Sequence, residues 1–260
     1  MYYIIYFIMA IVATTVGSLT GMGGGVIMKP VMDMLGHFDV ASIGVLSSIT
    51  VFSMSLVSIG KQVAARSPVP YRKALYLALG SVVGGISGER ILGLILSSVN
   101  ERRHVTVIQN IILALLIAAV FYFMKNKQRI RCHRLSSPLA SILAGVFLGI
   151  CSSFLGIGGG PINVALIIFL FSVDTKVATV CSLITILFAQ VAKLSLIALG
   201  SGFGGYDLRV VPAMIVASIL GGFIGAALNR RWSEQRVEDA FNAVQVLVLI
   251  IAISNIARNL

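Results

Sequence analysis

The sequence predicts an all-α, polytopic membrane protein made of two homologous halves, each with a glycine-broken helix or re-entrant hairpin. Three observations lead there. The chain is 58% apolar and only 11% charged, whereas soluble domains carry about 25% charged residues. Apolar runs recur along its whole length. One glycine pattern occurs twice, as Gly21-Met22-Gly23-Gly24-Gly25 and, 135 residues later, as Gly156-Ile157-Gly158-Gly159-Gly160.

The runs at 41–60, 74–96, 105–124, 138–154, 176–199, 210–228 and 240–257 are read as long enough for the roughly 30 Å hydrocarbon core of a bilayer. The start, Met1-Tyr2-Tyr3-Ile4-Ile5-Tyr6, lacks a basic region. It reads as a first membrane helix with interfacial tyrosines rather than a cleaved signal peptide. The short loops leave little sequence for a soluble domain. The net charge of +11 belongs mainly to short loops, where Lys and Arg set membrane orientation. It is not read as a nucleic-acid footprint.

Aligned at offset 135 without gaps, residues 21–52 and 156–187 share 11 of 32 positions, including the pairs Asp39/Asp174, Ser47/Ser182 and Thr50/Thr185. The match resumes with a small shift at Ser81-Val82-Val83-Gly84-Gly85 and Ser218-Ile219-Leu220-Gly221-Gly222. The chain therefore divides into a first transmembrane repeat (1–124), a basic cytoplasmic linker (125–137) and a second repeat (138–260). After each glycine motif only about ten apolar residues follow, about 15 Å of helix. These pieces are half-helices, either re-entrant or parts of discontinuous spans.

Loop charge bears on the relative orientation of the halves. Inverted halves place 13 loop cations on the linker side, among them Lys61, Lys127, Lys176 and Arg230, against three on the other, Arg102, Arg103 and Arg209. Parallel halves divide the same residues 10 to 6. The positive-inside rule favours inversion, with both termini outside the cytoplasm.

A Gly-Gly-Gly run frees backbone N–H groups and permits close ligand approach. The helix that follows presents an N-terminus favourable to anions. Two such N-termini meeting near the midplane would cradle an anion. The predicted substrate-binding set is Ser18, Thr20, Gly21, Gly23, Gly24, Gly25, Ser47, Thr50, Ser153, Gly156, Gly158, Gly159, Gly160, Asn163, Ser182 and Thr185. The hydroxyls and the amide donate to anionic oxygens. The competing reading is close packing by small residues and ordinary interhelical hydrogen bonding.

Charge inside a membrane is a functional hypothesis by default. Lys29, Asp33, Gln190 and Lys193 are the candidates for charge or coupling. Lys29 is a candidate anion attractor whose repeat partner is the neutral Val164. Asp33 is either a proton carrier or a structural partner of Lys29 at i,i+4. Lys193 lies near a helix end, where snorkelling is the expected behaviour. Glu89 is expected to pair locally with Arg90, and Asp39 and Asp174 to cap helices.

Cys132, Cys151 and Cys181 are too scattered for a disulfide or metal framework, and the three histidines do not cluster. No Walker-type loop is present. The sequence assigns no cofactor, no metal and no nucleic-acid partner, and no nucleophile–base set that an enzyme would need.

The chain resembles the sulfite exporter TauE/SafE family (the TSUP permeases). The resemblance rests on Gly17-Ser18-Leu19-Thr20-Gly21-Met22-Gly23-Gly24-Gly25 and on Gly149-Ile150-Cys151-Ser152-Ser153-Phe154-Leu155-Gly156-Ile157-Gly158-Gly159-Gly160-Pro161. It implies a multi-pass cell-membrane carrier, bacterial or archaeal, that exports small sulfur-containing anions such as sulfite or organosulfonates, coupled to protons or to the membrane potential. Membrane lipid and the small anion are its implied partners, and an anion channel is the alternative. One departure is Lys29-Pro30, where the family pattern has an apolar residue before the proline.

Overall fold

The computed structural model describes residues 2–65, 70–98, 102–130, 132–135, 137–157, 159–200 and 202–259. Among them are ten α-helices and no strand: α1 (Tyr2–Thr20), α2 (Gly25–Leu35), α3 (Val40–Ala64), α4 (Tyr71–Ser98), α5 (Arg102–Asn126), α6 (Pro138–Phe154), α7 (Pro161–Phe171), α8 (Thr175–Leu199), α9 (Val211–Arg231) and α10 (Glu234–Asn259). Seven of these are long and apolar enough to cross a membrane. The run at 138–154 forms the 17-residue helix α6, shorter than those seven, which stops inside the bundle at the second glycine motif. The pieces after the motifs, α2 and α7, hold 11 residues each.

Contact positions give the helix directions. On α9, Gly221 lies against Thr14 and Gly225 against Ser18, and Asn229 donates to the Leu19 carbonyl. So α1 and α9 run parallel. Gly80, Gly84 and Gly88 of α4 step past Ile142, Val146 and Ile150 in the same sense, which makes α4 and α6 parallel. Two other pairs, α3 with α8 and α5 with α10, run antiparallel. Gly44 of α3 sits by Lys193 near the end of α8, while Val51 and Met54 pack with Ile186 and Leu183 further along. Likewise, Asn255 of α10 lies 3.5 Å from Asn110 of α5, and Glu238 at the start of α10 pairs with Lys127 just past the end of α5. These directions gather the described ends of the chain at one end of the bundle and the basic linker at the other.

The halves exchange partners. The α1–α9 and α4–α6 seams each join one half to the other, and both are built on glycines four residues apart. A Cβ on Gly80 would lie 2.0 Å from the Ile142 carbonyl oxygen, and one on Gly84 would lie 2.1 Å from that of Val146. From the other side, Gly145 is as tight against Leu77. Lipid tails give helices no hydrophobic drive to associate, so contact must come from backbone approach and packing. Small residues at this spacing supply it.

Capping follows the sequence on one side only. Asp39 accepts from the Ala41 amide at 3.2 Å. Asp174 holds the equivalent place but makes no cap bond. The Thr175 amide donates instead to Glu234 at 2.8 Å. Glu238 also takes the Thr175 hydroxyl at 2.6 Å and pairs with Lys127, so the linker is tied to the starts of α8 and α10.

Replacing Gly84 with Leu should break the α4–α6 seam, with a cost of at least the 1–3 kcal/mol of typical overpacking. Gly93 has nothing within 4 Å of its would-be Cβ, and Gly93→Leu should be neutral. Thermal denaturation in detergent compares the two; equal melting points would refute the seam.

Candidate functional site

The two glycine motifs meet inside the bundle. A Cβ on Gly25 would lie 2.0 Å from the Ile157 carbonyl oxygen and 2.5 Å from Ser47 Oγ. One on Gly159 would lie 2.4 Å from the Ile186 side chain and 3.5 Å from the Met22 carbonyl oxygen. Gly21, Gly23, Gly156 and Gly159 all have positive φ (76°, 75°, 65° and 119°), a region open mainly to glycine. Gly24 and Gly160 precede α2 and α7; the Ile27 and Asn163 amides turn back to the Gly24 and Gly160 carbonyls at 3.2 and 3.1 Å, and Pro161 has no N–H, so the open first-turn amides are those of Gly25, Val26 and Ile162. Gly158 lies outside the described residues.

The first break is sealed by hydrogen bonds. Thr179 donates to the Thr20 carbonyl (3.2 Å), Ser182 to that of Gly21 (2.6 Å) and Asn229 to that of Leu19 (2.6 Å). The Thr20 hydroxyl returns to Val16 in its own helix. Ser18 bonds Ser58 at 2.7 Å and the Gly222 carbonyl at 3.1 Å. Every side-chain donor in this set is buried and paired.

The second break is different. In place of Thr179 it meets Gly44, whose Cα lies 3.6 Å from the would-be Cβ of Gly156. In place of Ser182 it meets Ser47, whose buried hydroxyl has no partner. Ser153 Oγ and Asn163 Oδ1 are also buried without a partner. Thr50 and Thr185 bond carbonyls of their own helices, so they serve α3 and α8 rather than the crossing.

Two lysines flank this break. The Cε of Lys29 lies 3.3 Å from the would-be Cβ of Gly156, and Lys193 Nζ lies 3.6 Å from that of Gly44. Lys29 pairs with Asp33 at 3.1 Å, the two side chains being 3% and 2% exposed. The i,i+4 pairing of these two residues is therefore formed. Lys193 does not snorkel: it is 1% exposed and faces Glu89 at 3.0 Å. Nor does Glu89 pair with its neighbour Arg90, which is exposed. The sequence missed this ion pair because its partners sit on different helices, 104 residues apart. Gln190 joins Lys193 on α8, with Nε2 3.5 Å from Ser152 Oγ and Oε1 unpartnered. Further out, Arg209 bonds Asp207 and holds its carboxyl below the usual carboxylate range, at the mouth of the loop before α9.

Six long helices around two crossed, broken elements, α1–α2 and α6–α7, make a polytopic membrane transport architecture. Among the described residues no cluster of His, Cys, Asp or Glu fits a metal. Residues 6–254 match the model of the family described as "Sulfite exporter TauE/SafE", and the chain belongs to that family of membrane transporters, which are not enzymes. It is also 23% identical, over 95% of its length and 96% of the relative's, to the "Probable membrane transporter protein YunE" of Bacillus subtilis (strain 168). No solved structure matches.

Breaking the buried Lys29–Asp33 pair from one side should be costly, because a charge is left unpaired. Asp33→Asn or Lys29→Met should lose about 3–5 kcal/mol, and the double variant should recover most of it. A double-mutant cycle by detergent melting checks this; additive losses would show the two residues are independent.

Proposed function

We propose that this protein is a secondary carrier that exports small sulfur-containing anions, such as sulfite or organosulfonates. One observation carries the reading: the two glycine breaks touch in the interior, with two buried lysines and unpaired hydroxyls at the contact. First-turn amides and helix dipoles favour an anion there, and the ammonium groups add full positive charge. The family description supplies the sulfur chemistry. Protons are the coupling ion in this reading, with the buried Asp33 and the half-buried Glu89 as the carboxylates available to carry them.

The halves are inverted repeats in this reading. The antiparallel runs of α3 against α8 and α5 against α10 support it, as does the positive-inside count. The termini then lie outside and the linker in the cytoplasm. Alternating access is motion between two packed bodies, α1–α3 with α9 and α10, and α4–α8. Because helices are exchanged across the halves, each moving body mixes both repeats.

In proteoliposomes, wild-type protein should give saturable sulfite or sulfoacetate flux that responds to a pH gradient. Gly24→Val and Gly159→Val should lower it at least tenfold with insertion intact; full flux from both would remove the crossing from the pathway. Unsaturable conductance would instead indicate a channel. For orientation, single cysteines at 127 and 204 in a cysteine-free background should label from opposite faces of intact cells, and labelling from one face would exclude inversion.

A further inference from the structure

We propose that the anion is held on one side of the pseudo-symmetric crossing only, at a site made by Lys193, Ser153 and Gln190 beside Gly156, and that Glu89 is a stand-in counterion which the anion displaces. This rests on the carrier reading above and adds which residues bind.

The repeat alignment supplies an internal control. Offset 135 pairs Ser153 with Ser18, Lys193 with Ser58 and Gln190 with Ser55, and the shifted second match pairs Glu89 with Ala226. The two places have the same backbone geometry. A Cβ on Gly88 would lie 3.0 Å from Ser153 Cβ, and one on Gly225 would lie 2.7 Å from Ser18 Cβ. Their chemistry differs. Around Ser18 everything is neutral, and the hydroxyls of Ser18, Ser55 and Ser58 are all bonded. On the other side the buried Lys193 ammonium faces Glu89, the chain neighbour of the Gly88 that meets Ser153, and two fully buried polar groups, Ser153 Oγ and Gln190 Oε1, have no partner.

Leaving buried polar atoms unmatched forfeits their hydration without replacing it, and so destabilises the fold. A purely structural site has no reason to keep that cost, since its duplicate on the same backbone has removed it with three serines. A polar ligand gives the reason. The ammonium and the Ser153 hydroxyl are donors suited to a compact oxyanion head, and Gln190 offers either end of its amide. Glu89 Oε2 lies 3.0 Å from Lys193 Nζ but meets no hydrogen-bond geometry, so the ammonium's protons are not fully committed to it. Glu89 is also the more exposed partner, at 18% against 1%. An entering sulfonate or sulfite oxygen takes its place while the carboxylate swings outward. Lys29, whose stem lines the same glycine, adds positive potential but stays with Asp33.

This assignment makes the two partners act in opposite directions, which a structural ion pair does not. Binding of sulfite, thiosulfate and sulfoacetate to detergent-purified protein is measured by calorimetry. Glu89→Gln removes the competitor and should bind the preferred anion severalfold tighter than wild type. The double variant Lys193→Met/Glu89→Gln leaves no charge stranded, so it should fold, as monodisperse elution would show, and should bind at least tenfold more weakly. Ser55→Ala/Ser58→Ala, at the duplicate place, should stay within threefold of wild type. Wild-type binding with the Lys193→Met/Glu89→Gln protein within threefold overturns the one-sided site and leaves the carrier reading standing. Equal weakening by the Ser55/Ser58 variant also overturns it, in favour of a symmetric cradle. No binding of any of the three anions by wild type overturns both readings together.

Discussion

Gly25 cannot carry a side chain. The carbonyl of Ile157 occupies the space a Cβ would need, and the rest of the interior is arranged around that one contact of backbone on backbone. Two chain breaks can cross in hydrocarbon only if their freed amides and carbonyls find partners in the protein or face a cavity. The helices that surround the crossing supply those partners: Thr179, Ser182 and Asn229 at the first break, Gln109 for the Phe154 carbonyl at the second.

The same economy of side chains holds the outer helices. The seams of α4 with α6 and α9 with α1 place backbones too close for even a methyl group. Because each seam joins one half to the other, neither repeat owns a complete scaffold. The broken helices are therefore carried by partners from the opposite repeat, and a shift in either seam reaches the crossing directly.

Much of this was legible in the sequence. Composition and apolar runs predict the helices, and the glycine pattern predicts both breaks and the 11-residue pieces after them. The two halves share Asp39/Asp174 and Ser47/Ser182 at one offset. What the alignment obscured is that equal residues came to unequal uses: Asp39 caps its helix and Asp174 does not, because Glu234 reached the Thr175 amide first. Ser182 is bonded and Ser47 is not, because the surroundings diverged at Thr179 and Gly44. The pairing of Lys193 with Glu89 was hidden for a simpler reason. Helical periodicity reports neighbours within three or four residues, and this pair is made across two helices brought together by the fold.

The depth of Lys193 has an electrical consequence. It lies six residues, about 9 Å, from the end of α8, toward the end of the bundle that holds the chain termini. A charge reaching it from that end crosses a small part of the membrane field, and a charge arriving from the linker end crosses most of it. Moving one elementary charge through the whole field is worth about 2.3 kcal/mol per 100 mV. The Lys193 ammonium therefore divides the roughly 30 Å core unequally, with most of the voltage drop falling between it and the linker end.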